Sequence, residues 1–423
     1  MNRLLLDIGA SSLKSIIQKK NTPDPNTLYV SESFSTKYGN KFNSKIIIDE
    51  FISHVKRQYS VATFEEIWMC SEMHNFTLFD VDNEVYSDFY SWRYSTRESS
   101  SLKKKLLKIK KEHHKESGQS LHKGIPLLNF HGKYKKKSTY KVLTLPELIV
   151  HKYGKSSNKL HDTMAASTGC LNIRNNKWLN KHLSFLYSDF KYSFANIFKE
   201  NEIPLLGEIN INNKKIKMIG GFGDLQTALY GRNIHEKEIC INIGTGSQVI
   251  GLCYDKDTYS RDFDIKPFFG KFIKAITHIP AGRSLNFINH EICKCKNFWV
   301  KLSNVEKTLP SDFIPEFDLN IFESNWRYNK GNEGKIINYF KNDKNFYEII
   351  LKAFCLEYFE AIKKIDPEKK YKKIILSGGK LKEINYVKNF FGNIHGYRLE
   401  NNKNDLDIDE TLIGLNKLTK LFN

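Results

Sequence analysis

Asp224 follows Gly220-Gly221-Phe222-Gly223 and precedes a helix-like spacing of Leu225, Ala228 and Leu229. The pattern predicts a glycine-rich turn delivering a carboxylate to the mouth of a helix. A carboxylate there can accept the proton of an attacking hydroxyl, and the local dipoles favour its ionised form. Downstream, a buried-type strand, Ile239 to Ile243, ends in Gly244-Thr245-Gly246-Ser247. That turn offers backbone N–H groups and a hydroxyl to phosphate. The two features are parts for phosphoryl transfer. The plainer alternative is a helix cap and an ordinary turn.

Other residues fit the same chemistry. Asp7 closes the first strand, Leu4 to Gly9, where a carboxylate can hold a hydrated Mg²⁺. Gly9, Ser11 and Ser12 form a turn that a phosphate can approach, and Lys14 adds charge. An ordinary hairpin with a polar turn explains them equally. Near the C-terminus a strand, Lys372 to Ser377, runs into Gly378-Gly379, where a flat ring can lie against backbone because no Cβ intervenes. Trp92 and Arg97, in an aromatic and arginine cluster, suit a polyol: the ring packs on C–H faces and the guanidinium donates to hydroxyls. His122 sits in the turn-rich segment Ser117 to Leu127, either to hydrogen-bond a ligand or simply exposed. His290, Cys293 and Cys295 make a weak metal trio with short spacing and no fourth ligand.

The elements that must position these residues alternate strand and helix. Hairpin-like strands open the chain, a helix is expected near Ile48 to Gln58, and a short buried strand at Ile67 to Ser71. Leu102, Leu106 and Ile109 mark a basic amphipathic helix with a solvated face. A helix from Leu143 to Tyr153 takes Pro146 in its first turn. The small-residue run His161 to Gly169 permits close approach of elements or of a ligand. A long helix spans Phe346 to Ile365, and Asp409-Glu410 caps a last one, Thr411 to Leu421. Ser303 to Lys344 carries no assignable pattern.

A chain of 423 residues, 40% hydrophobic, has room for two domains. Seven scattered cysteines and no secretory signal point to a reducing compartment and a cytoplasmic protein. No apolar run approaches the roughly 20 residues that span a bilayer. The formal charge of +19 would suit a polyanion, but the basic residues are dispersed, as on a lysine-rich surface. No nucleic-acid or membrane partner is therefore expected.

Three strand-plus-turn signals stand in order: DIGASSLK at Asp7, NIGTGS at Asn242 and LSGG at Leu376. Their order resembles the superfamily of sugar kinases, actin and the seventy-kilodalton heat-shock chaperones. Four further segments, SGQSLHKGIPL, HDTMAASTG, GDLQ and ETLIGL, narrow the resemblance to carbohydrate kinases of the FGGY family, most like sedoheptulokinase, with gluconokinase next. It covers nearly the whole chain. It implies an α/β, two-domain actin-like ATPase (ribonuclease H-like) fold with a central cleft, a sugar-binding domain over 1–232 and an ATP-binding domain over 233–423. It implies ATP-dependent phosphorylation of a sugar or polyol hydroxyl, a ketose such as sedoheptulose foremost, with ATP and Mg²⁺ as cofactors.

By the same resemblance Asp224 matches the catalytic base and Asp7 the Mg²⁺-associated carboxylate. Gly9, Ser11, Ser12 and Lys14 match the first phosphate loop, Gly244, Thr245 and Gly246 the second, and Gly378 and Gly379 the adenosine turn. Trp92 and Arg97 resemble a sugar-side Trp-x-Asp-x-Arg motif, with His122 nearby; Tyr94 stands in the Asp position and Arg97 is displaced by one residue. Partners are then a sugar, ATP and, at most, a second copy in a homodimer. The rival readings are a non-catalytic sugar- or nucleotide-binding regulatory protein on the same fold, and a nucleic-acid binder.

Overall fold

The leucine run at the N-terminus becomes strand β1 (Asn2–Ile8), and its alternation serves two cores. Leu4, Leu6 and Ile8 join one apolar cluster, and Leu5 joins another on the opposite face. A strand buried on both faces needs such an unbroken apolar run. β1 pairs antiparallel with β2 (Ser12–Lys19), which pairs antiparallel with β3 (Tyr29–Ser33). On its other side β1 pairs parallel with β4 (Glu66–Ser71). With β5 (Gly154–Ser156), β6 (Leu205–Ile211) and β7 (Lys214–Gly223) these form a seven-stranded sheet in the order β5-β6-β7-β4-β1-β2-β3.

The computed structural model describes residues 2–9, 12–19, 29–33, 39–96, 99–122, 124–243, 247–255, 259–305, 316–317, 319, 336–337, 346–378, 380–394, 396–400 and 409–422. Two compact units emerge. The first comprises 1–233, 266–270 and 406–423, and the second 234–265 and 271–405. The terminal helix Glu410–Leu421 thus packs with the first unit, unlike a plain division at residue 232. Its Leu412, Leu415 and Leu418 share a cluster with Leu5, Ile16, Trp68 and Phe222, so it covers one face of the first sheet. Helix α1 (Ser44–Val61) covers the other with Ile47, Ile48, Phe51 and Val55.

The sequence reading Gly220 to Gly223 as a turn needs correction. These residues end strand β7, and the register shifts between Gly220 and Phe222. Gly220 and Gly221 have φ of +103° and +68°, where glycine carries no Cβ penalty. The bulge shifts the alternation, so Ile219 and Phe222 face the same cluster while Ile216 and Met218 face the other. Bulges re-aim side chains in this way, and here the next side chain beyond the strand is Asp224.

A third apolar cluster lies under α2 (Ser100–Ser117) and α4 (Asn180–Leu186), with α3 (Asp162–Ser167) between them in sequence. Leu102, Leu106 and Ile109 of α2 are buried there, as their spacing predicts.

A second sheet, all of it in the second unit but for residues 266–268, comprises β8 (Glu238–Ile243), β9 (Ser247–Cys253), β10 (Asp264–Phe268), β11 (Lys271–Ile279), β12 (Lys373–Gly378) and β13 (Arg398–Glu400), in the order β10-β11-β9-β8-β12-β13. The predicted long helix is Phe346–Ile365 and packs on β9 and β11. Most of Ser303 to Lys344 lies outside the described residues. Among the described residues no helix is long and apolar enough to cross a membrane.

Candidate active site

β1, β4 and β7 run parallel and end side by side. Asp7 is in register with Cys70, and Cys70 with Phe222. Just beyond that row stand Glu72 and Asp224. The carboxyl ends of parallel strands are where open α/β sheets take their ligands, and this edge carries three acids.

Asp7 is buried at 3% exposure. Its Oδ1 accepts from Cys70 Sγ at 3.4 Å and its Oδ2 from Thr411 Oγ1 at 2.9 Å. Burial pushes its pKa up to about 6, against the pull of Lys14. Lys14 Nζ lies 3.8 Å from Asp7 Oδ2 and 2.6 Å from Asp409 Oδ2, so two carboxylates share it. Burial also acts on Asp409, but the hydrogen bonds from Lys14 and Thr411 outweigh it and hold that carboxyl below its usual range. The turn at Gly9 is tight, with Gly9 N donating to Ser12 O at 3.0 Å.

Asp224 is the first residue of helix α5 (Asp224–Gly231), and its Oδ1 accepts from Leu225 N at 2.8 Å. Enclosure by protein and the charge of Asp7 raise its pKa to about 7, with Leu225 N–H, Lys266 and Lys14 opposing. Burial thus raises the carboxyl that the sequence reading expects local dipoles to keep ionised. The preceding residue is held through both its amide and its carbonyl. Gly223 N donates to Thr163 Oγ1 at 3.1 Å, and Gly223 O accepts from Thr227 Oγ1 at 2.8 Å. The small-residue stretch around α3 therefore serves close approach of elements.

Sequence reasoning passed over Glu72. Its side chain is 3% exposed, and Oε2 has no hydrogen-bond partner. Burial and the Asp224 charge push its pKa up to about 8, and Arg93 lowers it in part. The signal available in the sequence was its place directly after the buried strand Ile67 to Ser71.

The polar residues assigned to a sugar lie around the same unit. The rings of His74 and His122 are 5.5 Å apart, and His74 Nδ1 is 2.6 Å from Ser167 O. Trp92 is 42% exposed in a turn, with Arg93 Cζ 5.5 Å from its ring. A Cβ at Gly124 would lie 2.3 Å from Trp92 O, so the loop that carries His122 abuts Trp92. Arg97, Ser11, Gly244, Thr245, Gly246 and Gly379 lie outside the described residues.

In the second unit, Asn242 Oδ1 accepts from Ser377 Oγ at 3.4 Å at the ends of β8 and β12. Gly378 has φ of +94°, and a Cβ there would sit 2.3 Å from Ile243 O. Strand packing by itself therefore calls for glycine here. His290, Cys293 and Cys295 do not gather as ligands; His290 Nδ1 is 2.7 Å from Glu291 Oε1 instead.

No protein-family model matches the sequence, and no curated protein matches it in sequence. The fold, by contrast, has clear counterparts. It is the α/β two-domain actin-like ATPase fold found in sugar kinases. Ligand-bound xylulose kinase from Lactobacillus acidophilus superposes with a TM-score of 0.78 at 16% identity, over 100% of this chain and 88% of that one. Gluconate kinase from Lactobacillus acidophilus gives 0.76 at 15% identity, over 100% and 89%. Plasmodium falciparum glycerol kinase, solved with ADP, gives 0.76 at 11% identity, over 100% and 93%. Identities this low carry the fold.

Proposed function

We propose that the protein is a carbohydrate kinase of the FGGY type that moves the γ-phosphoryl group of ATP to a hydroxyl of a sugar or polyol, a ketose such as sedoheptulose foremost. The observation that carries the reading is the row of Asp7, Glu72 and Asp224 at three parallel strand ends, on a fold shared with xylulose, gluconate and glycerol kinases.

In this reading Asp224 accepts the proton of the acceptor hydroxyl as its oxygen bonds to the γ-phosphorus and the bridging oxygen leaves with ADP. A pKa of about 7 suits that task, because a base works best when poised near the working pH. Glu72, raised to about 8, is protonated at neutral pH and can donate to a sugar oxygen. His74, His122, Trp92 and Arg93 offer a ring face and donors for a polyol, and Arg97 belongs with them by the sequence motif. Gly9, Ser11, Ser12 and Lys14 serve one phosphate loop, Gly244, Thr245 and Gly246 the other, and Gly378 with Gly379 the adenosine. The hard oxygens of Asp7 fit Mg²⁺ held through water, since the ion keeps much of its hydration and takes one or two carboxylates. Bound there, Mg²⁺ would neutralise charge developing on the phosphates.

A panel of ketoses, aldonates and polyols, sedoheptulose included, incubated with ATP and Mg²⁺ tests the reading through sugar-dependent ADP release. Release with one acceptor, abolished by Asp224→Asn, is expected. Tight sugar or nucleotide binding without turnover on any acceptor would instead favour the regulatory protein, the reading suggested by Tyr94 in the Trp92 to Arg97 stretch.

A further inference from the structure

Away from these strand ends, α2 and α4 bring three ligating side chains together. Glu112 and Glu116 stand four residues apart on one face of α2, and His182 comes from α4. One donor atom from each lies within 4.8 Å of the others, and among the described residues this is the grouping that can hold a metal ion. His182 is 2% exposed, and neither ring nitrogen has a hydrogen-bond partner. Its Nε2 lies 3.0 Å from Glu116 Oε2, outside hydrogen-bonding geometry. A buried imidazole beside a carboxylate, with neither nitrogen hydrogen-bonded, is open to a further partner. The neighbouring His113 does not relieve it: its own Nε2 is 2.7 Å from Gly169 O and its Nδ1 is 3.3 Å from Ser117 Oγ.

We propose that Glu112, Glu116 and His182 form a binding site for a divalent transition cation of the zinc type, which braces α2 against α4. Two ligands about 2.1 Å from one such ion, at angles between octahedral and tetrahedral, stand about 3.0–3.4 Å apart. The His182 to Glu116 spacing is already in that range. Glu112 is exposed, and among the described residues it is paired with Lys181 Nζ at 3.5 Å, on a side chain that is itself exposed, so it can swing inward. One imidazole nitrogen with two carboxylates selects zinc-like ions over Mg²⁺ and Ca²⁺, which prefer all-oxygen shells. Water completes the coordination. The brace would clamp the apolar cluster beneath the two helices, where Leu102, Leu106, Leu183 and Leu186 meet.

Full-length protein stripped with a chelator and titrated with Zn²⁺ by calorimetry tests the site, with thermal melting followed in parallel. One Zn²⁺ per chain and a higher melting temperature are expected. Glu112→Gln, at an exposed position that leaves folding intact, should weaken binding by at least about tenfold, as loss of even an outer-shell partner does. Glu112→Gln/Glu116→Gln and His182→Gln should weaken it further. Co²⁺ bound in place of Zn²⁺ should show d–d bands without a thiolate charge-transfer band, and binding should survive Cys293→Ser/Cys295→Ser. Parental affinity in Glu112→Gln/Glu116→Gln, a thiolate band, or no binding at millimolar Zn²⁺ would each overturn the proposal.

Discussion

The two sheets share one plan and differ in what they put at its end. In the first, β3-β2-β1-β4-β7 run antiparallel, antiparallel, parallel, parallel; in the second, β11-β9-β8-β12-β13 repeat that order and those directions. Each opens on a hairpin whose first strand ends in Asp7-Ile8 or Asn242-Ile243. Asp7 faces Cys70 across a parallel pair, and Asn242 faces Ser377 across the matching one. The first sheet ends in acids whose pKa values rise to about 6, 8 and 7 for Asp7, Glu72 and Asp224. The second ends in an amide, a hydroxyl and a glycine. The fold fixes where chemistry is presented, and the side chains decide which. Carboxylates draw a cation and a proton, whereas neutral groups tolerate a polyphosphate that a carboxylate would repel.

The comparison is broken most severely by turning the acidic end neutral. Asp224→Asn keeps the shape and removes the base, so kcat should fall by about 10²–10⁴-fold while nucleotide binding persists. Activity within a few-fold of the parent, in a folded variant, would end the kinase reading. Asp7→Asn makes the first strand end mimic the second. Its turnover should drop far more than its sugar affinity, and equal turnover at saturating Mg²⁺ would remove Asp7 from the metal role.

The reverse change sharpens the same contrast. Asn242→Asp places a carboxylate where the second sheet has an amide, and should raise the KM for ATP by roughly tenfold through charge repulsion, with sugar KM unchanged. An unaltered ATP KM would mean that phosphates do not approach this strand end.

Backbone demands differ between the two ends as well. Gly378→Ala forces a Cβ to within 2.3 Å of Ile243 O at φ of +94°, which should cost about 1–3 kcal/mol of stability in chemical denaturation. Gly9→Ala meets Ser12 O at 3.2 Å and should cost less than about 1 kcal/mol. Equal costs would show that the second strand end is as accommodating as the first.

Much of the plan was legible in the sequence because its signals are local. The leucine and isoleucine runs gave the buried strands, the spacing of Phe346 to Ile365 gave the long helix, and Asp7 and Asp224 stood out as acids beside glycines. What escaped depends on distant chain segments meeting. Thr411 reaches Asp7 from the terminal helix, which packs with the first unit through its leucines. Glu72 gained meaning once β4 was known to lie between β1 and β7. The β7 bulge was invisible because a glycine run reads alike as a turn or as a bulged strand. The matching strand orders were equally hidden, since a shared topology leaves no sequence repeat behind.

The smallest effect is a pH dependence, and it separates the two sheets by chemistry rather than by mutation. The acids of the first sheet titrate as a coupled group, with Asp224 near 7, and its proton is lost as pH rises. The ratio kcat/KM for sugar should therefore climb from pH 6 to about 7.5 and then level off as Glu72, near 8, gives up its own proton. Asn242 and Ser377 do not titrate there, so nucleotide affinity should stay level between pH 7 and 8. Stability should move in the opposite sense. Asp224 has a folded pKa raised from 3.8 to about 7, so between those values the folded chain holds a proton that the unfolded chain has released. Its contribution is then fully present below the unfolded pKa and is lost as pH rises through the folded one. Asp224→Asn carries no such loss and should melt above the parent at pH 8, with the gap closing toward pH 4. A variant that melts lower at pH 8, with an acid limb near 4 in the parent, would make Asp224 a helix cap worth about 1 kcal/mol and leave the acidic strand end without its base.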